Sequence, residues 1–305
     1  MKLKFDVQGR TQPDPFIFED EGRFYIYVTA EKGVEAYSAN DIFGRWHFEG
    51  IAASFEGCHT YWAPSVIKYN GRYYIYVSCI RGKDFEFLHV ASADSPLGPF
   101  TDEKCLFDHF SIDSHVVETE AGLFLWYAKD NLDTEKVGTR IYIDRLVDPY
   151  TPAYSPKEVL RPDFDEEKFT PQCTKERDWY TIEGPFWFKE GRWQYLMYSA
   201  GCFQDDTYHI GYATAKTDEP DLMKVDFVKH TTGSGFAPVI IKNEYEEGTG
   251  HHSVIKMGGE YYAVYHGRDW REKTSDEYTE LRTARICRLN VADGIITAER
   301  YPDRI

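Results

Sequence analysis

Four side chains able to move protons or hold ligands stand at matched places in this chain: Asp14, Asp113, Glu183 and His251 each head a short apolar, aromatic-rich run. Two carboxylates across a sugar-sized gap can cleave a glycosidic bond. One gives a proton to the leaving oxygen while the other acts on water or on the anomeric carbon. A third carboxylate raises the acid's pKa by like-charge repulsion. Any single acid in a chain with 51 Asp and Glu is best read as a solvated strand end or a turn cap. The set outweighs that reading only if the elements that carry it converge.

Those elements repeat. Asp14 to Gly22 followed by Arg23 to Val28 matches Ala63 to Gly71 followed by Arg72 to Val77, and the pattern returns at Asp113, Glu183 and His251. Each copy is a β-rich run, a turn signal and a second aromatic run, which predicts a hairpin. The turn glycines fall at 22, 71, 122, 191 and 259, a period of repeat architectures. A further strand-like piece follows each copy, and almost no helical periodicity intervenes. The pattern predicts an all-β chain, a five-bladed β-propeller forming a single catalytic domain over 1–305. A sandwich of two sheets would leave five matched copies unexplained. Eight residues before the turn glycine stand Asp14, Ala63, Glu183 and His251, and allowing one extra turn residue the third copy contributes Asp113. In a propeller such positions line the central channel at one end.

Composition narrows the partners. A formal net charge of -16 without a basic block argues against nucleic acid, and no segment is long and apolar enough to span a bilayer. The first residues lack the apolar stretch of a secretory signal, so a cytoplasmic protein is expected. The 6 cysteines show no Cys-x-x-Cys spacing and read as reduced thiols rather than a zinc or redox motif. Aromatic residues at 16% suit strands and also surfaces that stack on sugar rings.

Taken in order, Pro13-Asp14-Pro15, Tyr61-Trp62-Ala63-Pro64, Ile112-Asp113-Ser114-His115, Ile182-Glu183-Gly184-Pro185, Gly250-His251-His252-Ser253 and Tyr265-His266-Gly267 make the chain resemble glycoside hydrolase family 43 over essentially its whole length. The resemblance implies a five-bladed propeller that hydrolyses arabinofuranosides or xylosides with inversion. It implies Asp14 as general base, Glu183 as general acid and Asp113 as the residue that orients Glu183 and tunes its pKa. His251 resembles the family histidine that faces the axis, where some members hold a structural calcium ion through waters. No cofactor is required for the chemistry.

Arg282-Thr283-Ala284-Arg285 resembles the strand whose arginine reaches substrate. Alternation puts its two arginines on opposite faces; which of them faces the pocket stays open, with the match of the following apolar residue to that strand favouring Arg282 and leaving Arg285 as the expected salt-bridge partner. Trp62 serves either as a sugar platform or as packing between blades. Phe186, with Phe203 and Phe236, is a candidate subsite wall, and His252 and His266 are expected to support the site. The expected activity is an exo-acting alpha-L-arabinofuranosidase on small oligosaccharides, with beta-xylosidase the close alternative. A non-catalytic sugar-binding propeller is the alternative from another class.

Overall fold

The computed structural model describes residues 1–82, 85–233, 235–270 and 280–301. Each repeated run is the innermost strand of a separate sheet: Phe16–Asp20, Cys58–Tyr69, Ile112–Thr119, Ile182–Glu190 and Glu246–Met257 open blades I to V. From each, the chain meanders outward through antiparallel neighbours, giving five sheets of four strands or more. The all-β, five-bladed propeller is therefore the fold.

The innermost hairpins close through two-residue turns. Pairing of Asp20 with Arg23 and of Tyr69 with Arg72 leaves Glu21-Gly22 and Asn70-Gly71 at the tips. Gly22 and Gly71 adopt φ of 78° and 80°, a region where glycine pays no steric penalty.

Five apolar clusters hold the ring, one between each pair of neighbouring blades. Tyr27 and Val34 of blade I meet Tyr61 and Ile75 of blade II, and Ile26 and Trp46 meet Val264 and Ile286 of blade V. Tyr76 and Leu88 meet Val116 and Leu125, Trp126 and Ile143 meet Ile182 and Leu196, and Met197 and Ile210 meet Ala263 and Cys287. Both faces of most strands are thus covered, which explains runs such as Phe24 to Val28 that are apolar at every position. Full burial of an aliphatic such as Ile26 or Ile75 contributes about 1.5–3 kcal/mol.

The N-terminal residues close the circle. The Met1 ammonium and the Leu3 amide donate to the Ile286 and Ala284 carbonyls of blade V, after which Lys4–Phe5 pairs in parallel with Arg45 and Trp46 of blade I. Between blades III and IV the long step becomes three short strands, Thr151–Pro152, Lys157–Leu160 and Trp179–Tyr180. All three pair with Val137–Asp148, with two single-turn 3-10 segments between the last two. Among the described residues no helix is long and apolar enough to cross a membrane.

Candidate active site

At one end of the axis each innermost strand carries a left-handed residue, just ahead of or early in the strand in blades I, III and IV and midway along it in blades II and V. Asp14, Ala63, Asp113 and His251 have φ of 52°, 46°, 60° and 43°, and the fifth position is Gly184 at 58°. For a residue with a Cβ this backbone costs on the order of 1–3 kcal/mol. Irregular pairing accompanies it in blades II to V. The kink turns the side chain out of the sheet's alternation and onto the axis.

This register corrects the expected equivalence of Glu183. Thr119 pairs with Gly122, so the third turn has two residues like the others, whereas Glu190 pairs with Trp193, so Gly191 is the first turn residue rather than the second. Eight residues before the second turn residue stand Asp14, Ala63, Asp113, Gly184 and His251. Glu183 is one residue earlier, in the position that Pro13, Trp62, Ile112 and Gly250 occupy in their blades. The axial slot and this preceding position together line one pocket of about 600 Å³, which holds Asp14, Asp113, Glu183, His251, Trp62 and Arg282.

The three carboxylates sit in contrasting surroundings. Asp14 Oδ1 accepts from Arg282 Nη1 at 3.0 Å, Oδ2 accepts from Thr29 Oγ1 at 2.6 Å, and His251 Nδ1 and His266 Nδ1 lie 3.5 and 3.2 Å from Oδ1. Burial by itself would push this carboxyl up, but the Arg282 guanidinium, then His251 and His266, outweigh it and hold Asp14 well below the usual range. Of these groups only Arg282 carries a permanent charge. Burial lowers both imidazoles, His266 to about 4.

Asp113 and Glu183 go the other way. Burial, then the neighbouring Glu183 and Asp14 charges, push Asp113 well above the carboxylate range, against one stabilising hydrogen bond from the Gly184 amide to Oδ2 at 3.0 Å. Glu183 is raised to about 7, first by burial and also by Asp14, while the Tyr208 hydroxyl opposes the rise by donating to Oε1 at 2.6 Å. Glu183 also keeps part of its surface open to the pocket. The donor atoms of Asp113, Glu183 and His251 lie within 4.8 Å of one another.

The remaining expected residues separate. Trp62 lines the pocket and is half-buried. Arg282 reaches the pocket, where its guanidinium stacks 4.7 Å over Phe203, and Arg285 points away to Glu246 and Asp269 at 3.3 and 2.7 Å. Phe203 is a wall residue, but Phe236 packs against Phe164 and His209 and does not line the pocket. Phe186, expected as a subsite wall, lies instead beneath the floor. It is buried in the narrow axial channel with His252, and its ring stacks on His115 at 4.1 Å. The cause is alternation: Glu183 faces the pocket before the break in register, and Phe186 resumes regular pairing after it.

Three contacts had no sequence signal. Tyr208 is buried, holds Glu183 and stacks on His266 at 5.5 Å, and Glu280 clamps Arg282 from the side opposite Asp14 at 2.7 Å. Thr29 both donates to Asp14 and accepts from the Ala63 amide. A trace of Tyr208 exists in Gly250, where any Cβ would lie 1.9 Å from the tyrosine ring.

An ionised carboxylate and a protonated one sharing a sugar-sized pocket define an acid–base hydrolase of glycosidic bonds. Comparison with known proteins agrees: the model of glycosyl hydrolases family 43 matches residues 7–296, and the chain belongs to that family.

An extracellular exo-alpha-(1->5)-L-arabinofuranosidase of Streptomyces avermitilis is 24% identical over 95% of this chain, which spans 65% of that relative's length. A xylosidase/arabinosidase of Bacteroides ovatus is 25% identical over 97% of both chains. Among solved structures, a thermostable family-43 glycoside hydrolase superposes with a TM-score of 0.82 at 28% identity, covering 99% of this chain and 97% of the other. An alpha-L-arabinofuranosidase from Lactobacillus brevis shares the fold with a TM-score of 0.77 at 22% identity, covering 94% and 93%.

Proposed function

We propose that the protein is an exo-acting alpha-L-arabinofuranosidase that trims small oligosaccharides by inverting single displacement. One observation carries the reading: Asp14 is held ionised by Arg282 while Glu183, on the same pocket, is raised to about 7. Asp14 takes a proton from water, whose oxygen bonds to the anomeric carbon from the face opposite the leaving group. Glu183 delivers its proton to the glycosidic oxygen as that bond breaks. Because Oε1 accepts from Tyr208, the transferable proton is assigned to Oε2. Asp113, fixed by the Gly184 amide, borders Glu183 as an orienting group, while burial and the Asp14 charge keep Glu183 protonated. Trp62 offers a platform for the sugar ring at the pocket wall.

The arabinofuranosidase reading draws support from the relatives named above, and the Bacteroides ovatus xylosidase/arabinosidase favours beta-xylosidase as the second reading. Rates on nitrophenyl arabinofuranoside and nitrophenyl xyloside separate the two. Failure to turn over either, combined with tight arabinose binding, would leave a sugar-binding propeller.

A calcium ion in the axial channel would be held through water. His115 Nδ1 and both ring nitrogens of His252 are buried there with no hydrogen-bond partner among the described residues, and imidazole is a poor direct ligand for a hard cation. Such an ion would brace the floor beneath the acids. All 6 cysteines are free thiols, which supports a reducing, cytoplasmic setting.

A further inference from the structure

Blade II carries a second group of chemistry-bearing side chains. Cys58 opens the innermost strand Cys58–Tyr69, Cys79 lies on the neighbouring strand Arg72–Arg81, and His89 lies on the third, Glu86–Ala93. Cys58 pairs with Arg81 and His89 with Val77, each two residues from Cys79, so the three side chains share one face of the sheet. One donor atom of each lies within 4.8 Å of the other two. Sequence spacing gave no sign of this, because the hairpin register and not a Cys-x-x-Cys loop brings them together.

Cys79 is buried in the apolar cluster between blades I and II with Cys58 packed against it, and polar groups border the pair on the His89 side. His89 is 2% exposed, its Nδ1 is hydrogen-bonded to Glu103 Oε1, and Phe55 stacks on its ring at 6.1 Å. The other Glu103 oxygen accepts from Arg81 Nη2 at 2.8 Å. A carboxylate behind a histidine fixes the tautomer and leaves the second ring nitrogen with its lone pair, the arrangement that supports metal-bound imidazoles. Cys58 is half-buried, which provides a way in from solvent.

We propose that Cys58, Cys79 and His89 form a zinc site. Two sulfurs and an imidazole select a borderline-soft ion over calcium or magnesium, and tetrahedral zinc accepts this set with water in the fourth position. Binding releases one proton from each thiol to solvent. Two thiolates then balance the dication, while Arg81 and Glu103 balance each other, so the loaded site is neutral.

The ion ties three strands together just ahead of the irregular stretch that delivers Thr60 and Trp62 to the pocket. Pairing there breaks between His59 and Trp62 and again between Trp62 and Ser65, and Thr60 and Ala63 both have positive φ. Its role is to clip the start of that stretch.

The test is a titration of untagged, reduced, full-length protein with cobalt(II) as the spectroscopic probe, followed by displacement with zinc. One equivalent of cobalt should produce tetrahedral ligand-field bands and a thiolate charge-transfer band. Cys58→Ser should remove the charge-transfer intensity of its sulfur, and Cys173→Ser should change nothing. Glu103→Gln should weaken zinc binding about 10- to 100-fold. Cys79 is buried and its variant risks misfolding, so half-buried Cys58 carries the decision. The site is refuted by absence of saturable uptake, by cobalt bands of octahedral type alone, by bands unaltered in Cys58→Ser, or by a Cys58–Cys79 disulfide in place of metal uptake.

Discussion

Two halves of one ring of acids are treated oppositely. On the blade I side, Asp14 meets a guanidinium, a threonine hydroxyl and two imidazoles, and it stays ionised. Across the axis, Asp113 and Glu183 meet each other, one backbone amide, one phenol and the His251 ring, whose Nδ1 is 3.8 Å from Asp113 Oδ2; among the described residues neither forms an ion pair with a lysine or arginine, and both are raised. Burial acts on all three in the same direction, so burial alone would make three weak acids. The difference comes from Arg282 of the last blade, which spends its charge on Asp14, and its clamp Glu280 holds it there. Division of labour between base and acid therefore depends on which blade supplies the arginine.

Removing the members of each half breaks that contrast to different degrees. Asp14→Ala deletes the ionised half and should lower kcat/KM on every glycoside by up to about 10⁴-fold. A residual rate near wild type on any substrate would contradict its role as base. Glu183→Ala should cost about 10²- to 10⁴-fold on natural oligosaccharides and much less on nitrophenyl glycosides, whose leaving group needs little protonation. Equal losses on both would remove it as the acid.

Arg282→Met keeps the acids but erases the asymmetry. With the guanidinium gone, the Asp14 pKa rises, so the acidic limb of kcat/KM should move to higher pH while the basic limb changes less. An unmoved acidic limb would show that Arg282 is not the source of the difference. The smallest change is Tyr208→Phe. Loss of a hydrogen bond that favours the Glu183 carboxylate raises its pKa, so the basic limb should move upward by about one unit. A limb that stays in place or moves down would assign Tyr208 to packing.

How much of this could be read in advance follows the same division. Five hairpins were legible because aromatic and β-branched runs with two-residue turns are local signals, and their repetition identified the propeller. Asp14, Asp113 and His251 were legible as a shared slot. Glu183 reached the site by a different route, since its turn places Gly191 first and Gly184 takes the axial slot. A glycine count cannot see that one-residue offset, which appears only in the pairing.

Phe186 was misplaced for a related reason: alternation cannot be carried through a break in register. Thr29, Tyr208 and Glu280 come from the connections between the second and third strands of blades I, IV and V, and one tyrosine among 23 carries no mark of its role. The pairing of Arg282 and Arg285 with opposite faces was legible, because strand Thr283–Ala292 is regular there and alternation holds.

The division between base and acid is tested most directly by the pH dependence of kcat/KM on an arabino-oligosaccharide, whose sugar leaving group needs the proton, measured for the natural protein and for Glu183→Gln. The natural protein should lose activity at low pH as Asp14 gains a proton and again above about 7 as Glu183 loses its own. Glu183→Gln should keep the acidic limb and lose the basic one. A basic limb that persists unchanged in Glu183→Gln would contradict the account.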